Sequence, residues 1–91
     1  MLILKPGRSK DTLLASLENI LAEYQDEIKE NNINVDKIND GYMLKAKKLF
    51  FYVDAKIIAR DGEFDFTYDT NAPKSIVDQA LKKINDALEK C

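Results

Sequence analysis

The reactive side chains of this 91-residue chain are mostly carboxylates, sixteen Asp and Glu against fourteen Lys and Arg, with no histidine, no tryptophan and one cysteine. Asp54 and Asp69 fall at matching places on two consecutive strand-like segments with Asp65 diagonal to them, and a cluster of that kind can hold a hard cation or share a proton. The competing reading is a set of solvated strand positions that keep a sheet in water. Other chemistry lacks its parts. Without histidine there is no Ser-His-Asp, Cys-His or His-carboxylate zinc site. Asp36-Lys37-Ile38-Asn39-Asp40-Gly41 starts like a calcium loop, but Ile38 holds the third position and Lys47 the twelfth, where ligands are required. No glycine cluster precedes a helix, and Ser9, Ser16 and Ser75 have no partner base. The expectation is a chain with no catalytic residue, no metal site and no cofactor.

Two other patterns point to binding. Lys45, Lys47, Lys56 and Arg60 alternate onto one strand face with Tyr52 among them, a surface able to track a nucleic-acid backbone with one ring to stack on. Asp54, Glu63, Asp65 and Asp69 share that face and would repel phosphate, and the pI near 5.1 argues the same way. Met43, Phe50, Tyr52 and Ile58 also fall on it, and an apolar patch on the outside of a small sheet marks a partner surface or a contact between copies. Met43, Tyr52, Lys56 and Ile58 are therefore the expected partner-binding residues. Like-charge pairs Glu23/Glu27 and Asp26/Glu30 line the first helix, as a solvated face or as a dock for a basic partner.

The elements that must position these residues follow from periodicity. Leu2, Ile3 and Leu4 before Lys5-Pro6-Gly7 suggest a short strand. Leu13, Leu17, Ile20, Leu21, Tyr24 and Ile28 recur at helical spacing behind a cap at Ser9 or Asp11, and Asn31-Asn32 stop the helix. The period then becomes two. Ile33 and Val35 lead to a turn at Asn39-Asp40-Gly41, followed by strands around Tyr42–Lys47, Phe51–Arg60 and Glu63–Asp69. Asp61-Gly62 predicts a hairpin with positive φ at both residues and Arg60 opposite Glu63. Ala59, Ile57 and Ala55 then face Phe64, Phe66 and Tyr68 on the buried side. A closing helix enters through Asn71-Ala72-Pro73 and carries Ile76, Val77, Ala80, Leu81, Ile84, Ala87 and Leu88 on one stripe. The expected class is α+β, a two-layer sandwich of an antiparallel meander with both helices on one face, ordered β-α-β-β-β-β-α or α-β-β-β-α.

Size allows one domain over residues 1–91, with its groove under the helices filled by core side chains. The apolar run at the N-terminus is too short for a signal-peptide core or a membrane anchor, and Cys91 has no intrachain partner, so a cytoplasmic protein is expected. The order α-β-β-β-α matches the double-stranded RNA-binding domain in topology without its Gly-Pro-x-His loop. Arg8-Ser9 before the helix, Gly41-Tyr42-Met43-Leu44 and Ile84-Asn85-Asp86-Ala87-Leu88 give residues 9–90 a resemblance to the putative polyhydroxyalkanoic acid system proteins, linked to storage-granule gene clusters. This chain lacks that family's His before the helical Ser and its Leu-Gly-Phe-Leu-Leu type run, having Thr70-Asn71-Ala72-Pro73 instead. The resemblance implies a non-catalytic accessory protein. The functional expectation is accessory or regulatory binding of a protein partner or a second copy, as a homo-oligomer, with a nucleic-acid module or a small phage-type inhibitor as alternatives.

Overall fold

A computed structural model describes residues 2–91, and for Lys48 the backbone only. The strands are β1 (Leu2–Leu4), β2 (Ile33–Ile38), β3 (Gly41–Lys48), β4 (Phe51–Arg60) and β5 (Glu63–Thr70). They form one antiparallel sheet in the order β1-β5-β4-β3-β2. The meander from β2 to β5 is the one that alternation predicts, and β1 returns along the far edge to pair with β5. Alternating apolar residues explain the sheet's two faces. Phe64, Phe66, Ala55, Ile57 and Ala59 are buried on one side, where Leu13 and Leu17 of α1 (Lys10–Glu23) and Leu88 of α3 (Lys74–Glu89) complete the core. The cross-strand pairs Ala59–Phe64, Ile57–Phe66, Ala55–Tyr68 and Arg60–Glu63 stand in the expected register. Helices therefore lie on one face of the sheet, giving the two-layer α+β arrangement.

Four local features differ from the sequence reading. The first helix does not run straight to Asn31: Tyr24 leaves helical geometry (φ −94°, ψ 16°) and separates α1 from α2 (Gln25–Glu30). The Tyr24 amide still donates to the Ile20 carbonyl (3.1 Å) and its carbonyl still accepts from Ile28 (2.9 Å), so the kink costs no backbone bond there. It lets α1 cross β4 and β5 while α2 turns onto β2, which one straight rod over a twisted sheet could not do. In the β4–β5 hairpin only Gly62 has positive φ (81°), so the turn is not the doubly left-handed one predicted. Register survived because the apolar pattern, not the turn type, specifies it.

The third difference is the entry to α3. Asn71 does not cap it: the helix begins at Lys74 behind Pro73 with no side-chain cap. The Asn71 amide instead bridges the β3–β4 hairpin, accepting from the Tyr52 amide (2.8 Å) and donating to the Phe50 carbonyl (3.0 Å). The fourth is the packing of α3, which is tight only at its end. Leu88 is buried there, and Arg8 and Lys5 donate to the carbonyls of Cys91 (2.7 Å) and Glu89 (3.1 Å), where helix carbonyls otherwise lack partners. Toward its start α3 stands off the sheet, leaving Ile76 and Tyr68 each 45% exposed. The groove under the helix is occupied by Leu81 and Ile84 against the core, and a small crevice remains between Val53, Tyr68, Ile76 and Ala80. No described helix is long and apolar enough to cross a membrane.

Candidate interaction surface

The face opposite the helices is bare. Strand registers place Leu2, Asp65, Ile58, Gly41 and Ile38 side by side in one row across all five strands. Thr67, Lys56, Met43 and Asp36 form the next row. Met43, Lys56 and Ile58 therefore come together as the sequence suggests: Met43 and Ile58 are half-buried among their neighbours and Lys56 is exposed. Gly41, itself buried, separates Ile58 from Ile38 in the first of these rows. It must be glycine, because a Cβ there would overlap the Ile57 carbonyl oxygen.

Tyr52 lies apart from this trio, opposite Lys47 and beyond the row in which Lys45 faces Asp54 and Asp54 faces Asp69. Its hydroxyl donates to Asp69 (3.4 Å). The negative charge of Asp69, then burial, the hydrogen bond itself and the charge of Asp54 push the Tyr52 phenol above its ordinary pKa. Phe50 is not on the sheet face at all; it sits with Leu49 in the turn between β3 and β4. Alternation was extended one residue too far there, since Phe50 and Phe51 are adjacent and only Phe51 belongs to the strand. Leu2 and Leu4 were missed as members of the outer face, although their spacing at i and i+2 around Ile3 is a period-two signal.

The basic residues are all exposed on this face, and one of them is in an ion pair. Arg60 pairs with Asp65 (3.1 Å), and Lys45 stands directly across from Asp54. Lys47 and Lys56 face Tyr52 and Thr67. The carboxylate cluster is looser than expected. Asp54 and Asp69 are direct neighbours, but Thr67 separates Asp69 from Asp65 along β5, a spacing of about 13 Å at strand rise. No three described acids, cysteines or histidines gather closely enough to hold a metal ion. Ser16 Oγ accepts from Arg8 (3.0 Å) in a shallow cleft that also exposes Glu23 and Lys90, and the Lys90 ammonium donates to the Tyr24 hydroxyl (3.2 Å). Burial raises the pKa of the Cys91 thiol beside that cleft, against the pull of Lys5 and Arg8.

The fold and this surface define a class: a two-layer α+β domain with helices on one face and a mixed apolar and charged sheet surface on the other. Comparison with family models, curated proteins and solved structures finds no match.

Proposed function

We propose that this chain is a non-enzymatic accessory or regulatory protein that binds a protein partner, a second copy in the first instance, through the outer face of its sheet. The reading rests on one observation: Ile58 of the central strand and Met43 of its neighbour, with Ile38 beyond Gly41, form an apolar patch on the side of the sheet away from the helices. Ile58 and Met43 lie toward the middle of an otherwise charged face, as the apolar centre of a protein interface does, with Lys56, Arg60 and Asp65 around them. A nucleic-acid reading of Lys45, Lys47, Lys56 and Arg60 is weaker, since Asp65 already pairs with Arg60 and Asp54 and Asp69 share the face with the lysines.

Light scattering coupled to size exclusion tests it. A wild-type dimer that Ile58→Asp with Tyr52→Asp converts into a folded monomer supports the reading, and a wild type that stays monomeric at every concentration removes self-pairing. Association that falls steeply with added salt would move the assignment to phosphate contacts, whereas a nearly flat response keeps it with the apolar band.

A further inference from the structure

The turn between β3 and β4 presents two large apolar side chains to solvent, Leu49 at 80% and Phe50 at 88% exposure. Neither packs on the core, and Leu49 is held at φ 56°, a left-handed conformation that a branched, bulky residue adopts only at steric cost. Glycine or asparagine would turn the chain there more easily. The tip is nevertheless held firmly. Asn71 grips the hairpin on both sides of Phe51 through the Phe50 carbonyl and the Tyr52 amide. Thr70 Oγ1 adds a bond to the Tyr52 carbonyl (2.7 Å) and accepts from the Ala72 amide (3.1 Å). An apolar pair on a clamped finger is arranged to enter something.

The charges around it say what. Lys45 and Lys47 are exposed on the strand leading to the tip, and Lys48 immediately precedes Leu49 in sequence. Lys74 opens α3 three residues after the Asn71 clamp. On this face the row nearest the tip pairs Lys47 with Tyr52; Asp54 and Asp69 stand one row further back, Asp54 opposite Lys45 and Asp69 accepting from the Tyr52 hydroxyl. Tyr52 has the amphipathic ring favoured at the boundary between lipid and water. Apolar residues at the point, cations just behind them and a tyrosine between match an anionic lipid surface in the order in which its layers are met.

We propose that the Leu49-Phe50 tip is a membrane-docking finger, which enters the interfacial layer of an anionic bilayer while Lys45 and Lys47 contact head groups. The chain lies on such a surface and does not cross it. This docking is distinct from the outer-face contact proposed above: the two share Tyr52, but docking uses the end of the sheet and leaves Ile58 and Met43 uncovered.

The chain contains no tryptophan, so Phe50→Trp places a single indole reporter at an exposed site. With phosphatidylcholine vesicles containing about a third phosphatidylserine, its emission shifts to the blue and the wild-type protein co-sediments; vesicles of phosphatidylcholine alone give much less of both. Leu49→Gly with Phe50→Ser lowers the partition coefficient about tenfold or more, since the two buried side chains are lost. Lys45→Glu with Lys47→Glu lowers it by roughly tenfold as well, and Ile58→Asp leaves it unchanged. Circular dichroism confirms that each variant is folded. The proposal is overturned if the wild type stays in the supernatant and the indole does not shift at low salt. It is equally overturned if the tip variant binds as well as wild type, which would mean adsorption by lysines alone. A tip variant that turns a wild-type dimer into a monomer, with no vesicle binding by either, would place a second copy at the tip and also end it.

Discussion

At one end of β4 the chain turns through Asp61-Gly62, at the other through Leu49-Phe50, and the two turns show how differently one sheet treats its ends. The first is stitched into the fold. The Gly62 amide donates to the Arg8 carbonyl (2.7 Å), the Lys5 amide donates to the Gly62 carbonyl (2.8 Å), and Asp61 accepts from the Lys10 amide (2.8 Å) at the start of α1. The neighbouring β2–β3 turn joins the same knot, with Asp40 paired to Lys10 (3.2 Å) and its carbonyl accepting from Ala59 (2.7 Å). The core lies beside this end, under Leu13, Leu17 and Leu88. At the other end the Leu49-Phe50 turn is held by Asn71 in the loop before α3, and its two side chains stay exposed. Stability is concentrated where the turns are polar, and the unsatisfied apolar surface lies where stability is not needed from it.

The sharpest way to break this contrast is to truncate one phenylalanine at each end. Phe64→Ala, at a fully buried position, should cost about 3–5 kcal/mol in chemical denaturation, whereas Phe50→Ala should stay within about 0.5 kcal/mol of wild type. Similar costs for the two would mean that the tip is packed and the asymmetry is false. A smaller effect is expected from Asn71→Ala, which removes both bonds of the hairpin clamp and should cost about 1–2 kcal/mol. Hydrogen exchange should show the lost protection at the Tyr52 amide and its neighbours, with Phe64 and Phe66 amides unchanged. Loss spread evenly over the sheet would contradict a locally clamped finger.

The smallest effect concerns charge at the bare end. Asp69 favours the neutral Tyr52 phenol, so its pKa in the folded chain lies above the unfolded value of about 10. The stabilisation is therefore complete below that unfolded value and is lost as pH rises through the higher folded one. In an ultraviolet titration Asp69→Asn should bring one tyrosine's ionisation back toward the ordinary value, and an unchanged curve would show that the contact does not persist in solution.

Much of the architecture could be read from spacing. Ala55, Ile57 and Ala59 against Phe64, Phe66 and Tyr68 contain enough alternation that any one-residue slip would bury Glu63, Asp65 and Asp69, and the register followed. The bare outer face and the grouping of Met43, Lys56 and Ile58 were legible for the same reason. Three things were not. The kink at Tyr24 leaves the apolar stripe intact and so gives no periodic signal. The return of β1 to the edge of β5, which adds Leu2 to the outer band, is a pairing between segments sixty residues apart. The place of Phe50 depends on which residues form the turn, and Leu49 has none of the chemistry by which a turn is recognised.

Sequence by itself determined which side chains share a face, because a strand's period of two and a helix's period near 3.6 are local properties that hold wherever the element is placed. Tertiary structure decided where the roof stops. Arg8, Lys5 and Leu88 pin α3 at its far end, and Asn71 bonds across to β4 instead of capping that helix. Those contacts join residues distant along the chain, and they leave Leu49 and Phe50 exposed at the far end of the sheet.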